Sequence, residues 1–277
     1  MLKFGMPTLI ETQSIEQCAA LCAEAGLTFI EMNMNLPQYQ VQTMDAARLA
    51  AVAKQYGIGY TIHLDENMNV ADFNPDVAAA YRNSVVQTIE LAKRLEIPVL
   101  NMHLIYGVYF TLPHKKVFLF EQYREEYRDN MLRYRDDCAK AIGDSGIRVC
   151  IENWHGYQDW QLPVLDELLQ SDAFGLTYDV GHNHCIGGAD EPHIFARLSK
   201  LHHMHLHDVR DGTKDHQALG TGELDIHKYL KLAKQRDCTV VVETKTIAGL
   251  KESAAWLHKQ LKICAGRAPP RTRRCYG

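Results

Sequence analysis

Asp179 and His182 stand three residues apart in the run Thr177, Tyr178, Asp179, Val180, Gly181, His182, where an apolar, β-prone stretch ends on a carboxylate and a glycine turns the chain toward an imidazole. Ending a core strand on an aspartate costs desolvation unless a partner compensates it. A divalent metal with oxygen and nitrogen ligands is one such partner. An aspartate capping the next helix, with a surface histidine behind it, is another reading of the same residues. The pattern recurs: Glu31, His63, His103, Glu152, His205 and Glu243 also stand at or near the C-terminal ends of apolar runs. A cap or a satisfied core histidine explains any one of them. Together they gather carboxylates and imidazoles with only Arg210 and Lys245 as strand-end cations, and a bound divalent metal resolves that charge problem.

The elements that must position these residues alternate between short apolar runs and helical periodicity. Strands are expected at Lys3 to Met6, Phe29 to Met34, Gly59 to Leu64, Pro98 to Leu104, Ile147 to Asn153, Leu176 to Tyr178, His202 to His207 and Thr239 to Glu243. Helices are expected from about Ser14 (a plausible N-cap) to Ala25, Met44 to Tyr56, Asn74–Pro75 to Leu95, Glu121 to Ile142, Leu162 to Gln170, Pro192 to Leu201, Asp225 to Arg236 and Leu250 to Lys262. Eight βα units in this order specify one (β/α)8 TIM barrel over residues 1–264. An open doubly wound sheet would want a glycine-rich phosphate fingerprint after the first strand, and none is visible. Residues 265–277, with Pro269–Pro270 and four arginines, break the pattern and read as a flexible C-terminal tail. In a barrel the strand C-termini form one mouth, so the polar residues above fall together there.

Composition narrows the class. The 277 residues are 46% hydrophobic and 23% charged, ordinary for a globular protein. A formal charge of −4 gives no electrostatic reason to expect nucleic acid. No apolar run reaches membrane-spanning length, and the start shows no signal-peptide pattern. Eight cysteines lack a disulfide-framework spacing; Cys18 and Cys22 sit four apart in a helical pattern and read as core. A reducing cytoplasm fits, and a homo-oligomer remains open.

As a set, Ile151-Glu152-Asn153, Asp179-Val180-Gly181-His182, Met204-His205-Leu206-His207-Asp208, Leu219-Gly220-Thr221-Gly222-Glu223 and Val242-Glu243 resemble the xylose-isomerase-like barrels, a group that includes sugar isomerases, sugar epimerases and endonuclease IV. The resemblance covers residues 1 to 262 by strand order. It implies that Glu152, Asp179, His205 and Glu243 bind one divalent ion (Mn, Mg, Co or Zn), and that His182 contacts substrate hydroxyls or a second metal. Alternation along a strand puts His205 and His207 on one side; His207, nearer the loop, is expected to orient a neighbour. His202 and His203 are expected to be structural, at the strand's opposite end.

Glu152 and Glu243, from strands five and eight, can flank a substrate held on the metal. One carboxylate would remove a proton beside a carbonyl and the other would return one, through an enediolate that the metal stabilises; this isomerises or epimerises a sugar. The expected partner is a free keto sugar or polyol, with Tyr106, Tyr109, Phe110 and Trp154 as an apolar wall and His63, His103 and His216 as further substrate contacts. The alternative is an endonuclease IV-like zinc phosphodiesterase acting on abasic DNA, which would use His63, His103 and His216 as metal ligands. Lys214 departs from that pattern, which wants an aspartate two residues before His216; Asp215 is off by one. A barrel that has lost catalysis and only binds is a third reading, disfavoured by the intact carboxylate set.

Overall fold

The computed structural model describes residues 2–265; the arginine-rich segment from 266 onward, expected to be a tail, lies outside the described residues. Eight parallel strands close into a barrel: β1 (Lys3–Pro7), β2 (Phe29–Asn33), β3 (Gly59–His63), β4 (Val99–His103), β5 (Arg148–Glu152), β6 (Phe174–Asp179), β7 (Leu201–Leu206) and β8 (Thr239–Val242). Each pairs with its sequence neighbours, and β1 pairs with β8 to complete the ring. The fold is a single (β/α)8 TIM barrel, as the alternating pattern requires.

The helices begin where capping chemistry puts them. Ser14 accepts from the Gln17 N–H ahead of Ile15–Glu24, Asp45 caps Ala46–Tyr56, and Asn74 with Pro75 opens Pro75–Arg94. The expectation of one helix from Pro192 to Leu201 is wrong. A six-residue helix, Val180–Cys185, starts directly after Asp179, which caps it by accepting from the His182 N–H at 2.7 Å. The segment that follows breaks into Glu191–Phe195 and a 3-10 turn, Leu198–Lys200, before β7 begins at Leu201. Two antiparallel hairpins also interrupt the loops: Tyr109–Thr111 with Lys116–Phe118, and Asp208–Arg210 with Lys214–Gln217.

Register sets the levels of the mouth. His103 pairs with Glu152 across β4 and β5, and Asp179 pairs with His205 across β6 and β7. One layer deeper, Glu31 pairs with Thr61, and His203 pairs with both Thr177 and Thr239. Two glycines permit close approaches around β7. A Cβ at Gly181 would stand 1.9 Å from His207 Cε1, and one at Gly222 would meet Val209 O at 2.1 Å. The glycine-rich turn thereby wraps the Asp208 carboxylate, which accepts N–H groups from Gly220, Gly222 and Leu224 at 2.8–3.1 Å.

Candidate active site and metal centre

His205 is the centre of the cluster. Its Nδ1 lies 3.2 Å from Glu152 Oε1, 3.2 Å from Glu243 Oε2 and 3.8 Å from Asp179 Oδ2. Ligand atoms of these four residues all fall within 4.8 Å of one another. Glu152 Oε1, Glu243 Oε2 and His205 Nδ1 are buried and make no hydrogen bond. Buried polar atoms are normally satisfied, so three carboxylates converging on one imidazole nitrogen, with the facing glutamate oxygens and that nitrogen unpartnered, leave a place suited to a cation. An oxygen-rich set with one imidazole suits a divalent metal. The four residues therefore fit the ion that the sequence implied.

The neighbours hold these groups in orientation. Asp179 Oδ1 takes the His182 N–H and lies 3.1 Å from His207 Nε2, while Oδ2 faces the cluster and lies 3.3 Å from His182 Nδ1. Helix cap and candidate ligand, posed above as alternatives for Asp179, are thus compatible roles divided between its two oxygens. The His207 Nδ1 accepts the His216 N–H at 2.8 Å, which puts the ring proton on Nε2, directed at Asp179. Although His182, His207 and His216 lie close enough to suggest a three-histidine ion site, His207 has both nitrogens engaged and serves to orient Asp179, as expected. Asn153 brackets the same residue, giving its amide to Asp179 O and accepting the Asp179 N–H.

On the β3–β4 side, the Nε2 atoms of His63 and His103 approach Glu152 Oε2 at 3.4 and 3.3 Å, and Asn101 donates to the same oxygen. On the opposite side, His216 Nε2 lies 3.6 Å from Glu243 Oε1. His216 has a backbone φ of +53°, which breaks strand alternation so that adjacent Asp215 and His216 both line the cleft. Lys214 turns to solvent against Asp211. Asp215, one position off the phosphodiesterase pattern, stands 2.9 Å from His216 Nδ1 and 3.9 Å from His182 Nε2.

Protonation follows from these contacts. Burial opposes ionisation of Glu152, yet His205 and His103 hold its carboxyl well below the usual range. Glu243 is held down in the same way by His205 and His216. Burial works against a proton on His63, but Glu152 pushes it up to about 9. Glu243 and Asp215 push His216 up to about 9 as well. Without an ion, protons on imidazoles compensate the carboxylates; a divalent ion would take over that role.

A cleft of about 680 Å³ opens over the cluster, lined by His63, His103, Trp154, His182, His216 and Glu243 among others. Glu152 is not part of its lining and is 1% exposed, whereas the Glu243 side chain is 19% exposed. The two glutamates, expected to flank a substrate, are placed at different depths. Trp154 stacks on His103 with ring centroids 5.0 Å apart. Tyr109 and Phe110 do not form the expected wall, because the Tyr109–Thr111 hairpin turns them to solvent. Tyr106 donates its hydroxyl to Gly156 O and packs near Trp154.

Sequence reasoning missed a deeper layer. Glu31 lies in the middle of β2, not at its mouth end, and is buried against His203 and His205. His203 is not at the far end of β7 but inside the barrel. The alternation that pairs His205 with His207 also carries His203 inward, a signal present in the sequence.

The family model for xylose isomerase-like TIM barrels matches residues 19–260. A D-tagatose 3-epimerase-like protein is 22% identical with a TM-score of 0.76, covering 95% of this chain and 98% of its own. D-allulose 3-epimerase from Methylomonas sp., in complex with D-allulose, is 18% identical with a TM-score of 0.71, covering 94% and 96%. The IOLI protein with a binding zinc atom is 15% identical with a TM-score of 0.67, covering 95% and 97%. At these identities the structures share the fold. With most of its length matched by the family model, the chain belongs to the xylose isomerase-like TIM barrel family.

Proposed function

We propose that the protein is a divalent-metal-dependent epimerase or isomerase of free keto sugars or polyols, working by proton transfer beside a carbonyl. The observation that carries this reading is the convergence of Glu152, Asp179 and Glu243 oxygens on His205 Nδ1, those of the two glutamates unpartnered, beneath an open polar cleft. The epimerase likeness of the neighbours, one bound to D-allulose, points to the same substrate class. When bound, the ion would polarise the substrate carbonyl and stabilise negative charge developing on its oxygen.

This chain's residues would do the rest. Glu243 reaches the cleft and can take or give a proton at a substrate carbon, acting through whichever oxygen the ion leaves free. Glu152 has Oε2 held by Asn101 with His63 and His103 close by, so only Oε1 faces the reacting centre, from below. Two carboxylates on different sides of a carbon can remove a proton from one face and return it on the other, which is epimerisation. His182 and His216 would bind hydroxyls at the rim, and Trp154 would cover the apolar face of a sugar. The deciding assay incubates candidate ketohexoses with Co(II)- or Mn(II)-loaded protein in heavy water. Deuterium on the carbon beside the carbonyl is expected; turnover without exchange would mean a hydride shift and would end the proton-transfer mechanism.

A second reading has its own observation. His63 and His103 aim their Nε2 atoms at the second oxygen of Glu152, and these three residues could hold a further ion with Glu152 as the bridge. Asp215, near His182 and His216, restores a carboxylate that Lys214 lacks. That set would suit a multi-zinc phosphodiesterase acting on abasic DNA. About three zinc ions per chain, together with incision of an abasic duplex, would favour this reading over the first.

A further inference from the structure

Beneath the candidate ligands lies a layer that the proposed chemistry does not use. Glu31 is completely enclosed in the barrel between β2, β3 and β7. Its Oε2 accepts the Thr61 hydroxyl at 2.9 Å and the His203 Nε2–H at 2.9 Å. Its Oε1 stands 2.8 Å from His205 Nε2, off the line of an ideal hydrogen bond. Two lone pairs at that separation would repel, so Nε2 must carry a proton. With the Nε2 proton engaged by Glu31, Nδ1 is the nitrogen left to offer a lone pair to a cation held among Glu152, Glu243 and Asp179. His203 is fixed in turn, because its Nδ1 is 2.5 Å from the Thr239 hydroxyl.

We infer that Glu31 is a positioning residue that locks His205 in the tautomer binding a divalent ion through Nδ1, with Thr61 and His203 holding the Glu31 carboxylate in place. This rests on the metal-site reading above and extends it inward by one layer. An isolated carboxylate at this depth would be costly; its donors are the reason it stays there. A carboxylate on the far nitrogen of a ligating histidine also raises the basicity of the near one. The arrangement excludes the competing view that Glu31, His203 and His205 form a separate ion site. His203 has both ring nitrogens engaged, Nε2 with Glu31 Oε2 and Nδ1 with the Thr239 hydroxyl, so it has no free lone pair for an ion.

The test uses full-length, chelator-stripped protein titrated with Co(II), compared with Glu31→Gln and, as a milder variant, Thr61→Val. Wild type should bind Co(II) tightly and show a Co(II)-shifted, solvent-exchangeable imidazole N–H resonance from His205. Glu31→Gln should raise the Co(II) dissociation constant about 10- to 100-fold and move or abolish that resonance. Thr61→Val should give a smaller change in the same direction, and it keeps the test alive if Glu31→Gln fails to fold. Tight wild-type binding with both variants unchanged in affinity and resonance would overturn the inference alone. A Glu31→Gln variant whose apo form melts lower but whose folded fraction binds Co(II) normally would also overturn it, since Glu31 would then be packing only. Absence of Co(II) binding by the wild type would sink the metal-site reading first, and this inference with it.

Discussion

The two flanks of the cluster use the same residue types and are built differently. On the Glu152 flank, two histidines from strand ends and one asparagine converge on a carboxylate with almost no exposure. On the Glu243 flank, the carboxylate stands one residue beyond its strand, and its histidine comes from a hairpin with a left-handed backbone residue. Strand ends give rigid, buried placement, whereas loops give reach into the cleft. The flank fixed by strands is suited to holding a charge in place, and the loop-built flank to meeting a substrate.

Asp179 faces His205, the centre that both flanks share, so removing it should have the largest effect. Asp179→Ala should lower affinity for Co(II) or Mn(II) by more than about 100-fold, beyond the loss usual for an indirect contact. It should also cancel the rise in melting temperature that saturating metal gives the wild type. Equilibrium dialysis with elemental analysis checks the first, and paired melts with and without metal check the second. Retention of wild-type metal content would remove Asp179 from the site and dissolve the comparison of flanks.

The glutamates test the comparison directly. Glu243→Gln should keep metal binding within about tenfold while turnover falls about 10²- to 10⁴-fold, the usual worth of general acid–base catalysis. Glu152→Gln should lose both, because the new amide would put N–H groups against the Asn101 amide or the His63 and His103 nitrogens. Turnover measured at saturating metal, beside a direct binding titration, separates the two. Equal behaviour of the variants would mean that depth in the barrel does not divide their roles.

Histidine replacements should have smaller effects. Changing His63, His103 and His216 together to alanine should leave one ion per chain and raise KM more than it lowers kcat, if they are substrate contacts. Loss of most bound metal in this variant would instead make the β3–β4 flank an ion site in its own right. Metal content of the purified triple variant decides between these outcomes.

The barrel and its polar mouth were legible because strand periodicity and strand-end residues are local properties. Asp179, His205, Glu152 and Glu243 could be grouped from the sequence since each lies at or near a strand end, which barrel closure brings together. What escaped was set by register and backbone turns. Glu31 was visible as a polar strand residue, but its meeting with His203 depends on how strands far apart in sequence align around the ring. Asp215 looked displaced because it stands one position off the phosphodiesterase pattern, and the positive φ at His216 lets both residues line the cleft. Tyr109 and Phe110 looked like a cleft wall because aromatic content says nothing of which way a hairpin faces.

The smallest expected effect comes from an imidazole outside the mouth. His202, also on β7, has Arg148, Lys200 and Arg236 near it in place of carboxylates. Burial and then those cations lower it to about 4. A histidine lowered in the folded state takes up its proton more readily when unfolded. Its neutral form therefore supports the fold fully above about pH 6.5, the unfolded value, and that support drains away as pH falls toward about 4. His63, surrounded by carboxylates, is shifted the opposite way. Because His202 is only about half buried, its contribution is discounted for solvent screening, and a change of a few degrees in melting temperature is the scale to expect. Melts of chelator-stripped wild type and His202→Gln between pH 7 and 4 should converge as pH falls, since only the wild type loses the His202 term. Curves that stay parallel across that range would show that His202 senses no net cationic field, and that the contrast between the mouth and the outer end of β7 lies in geometry alone.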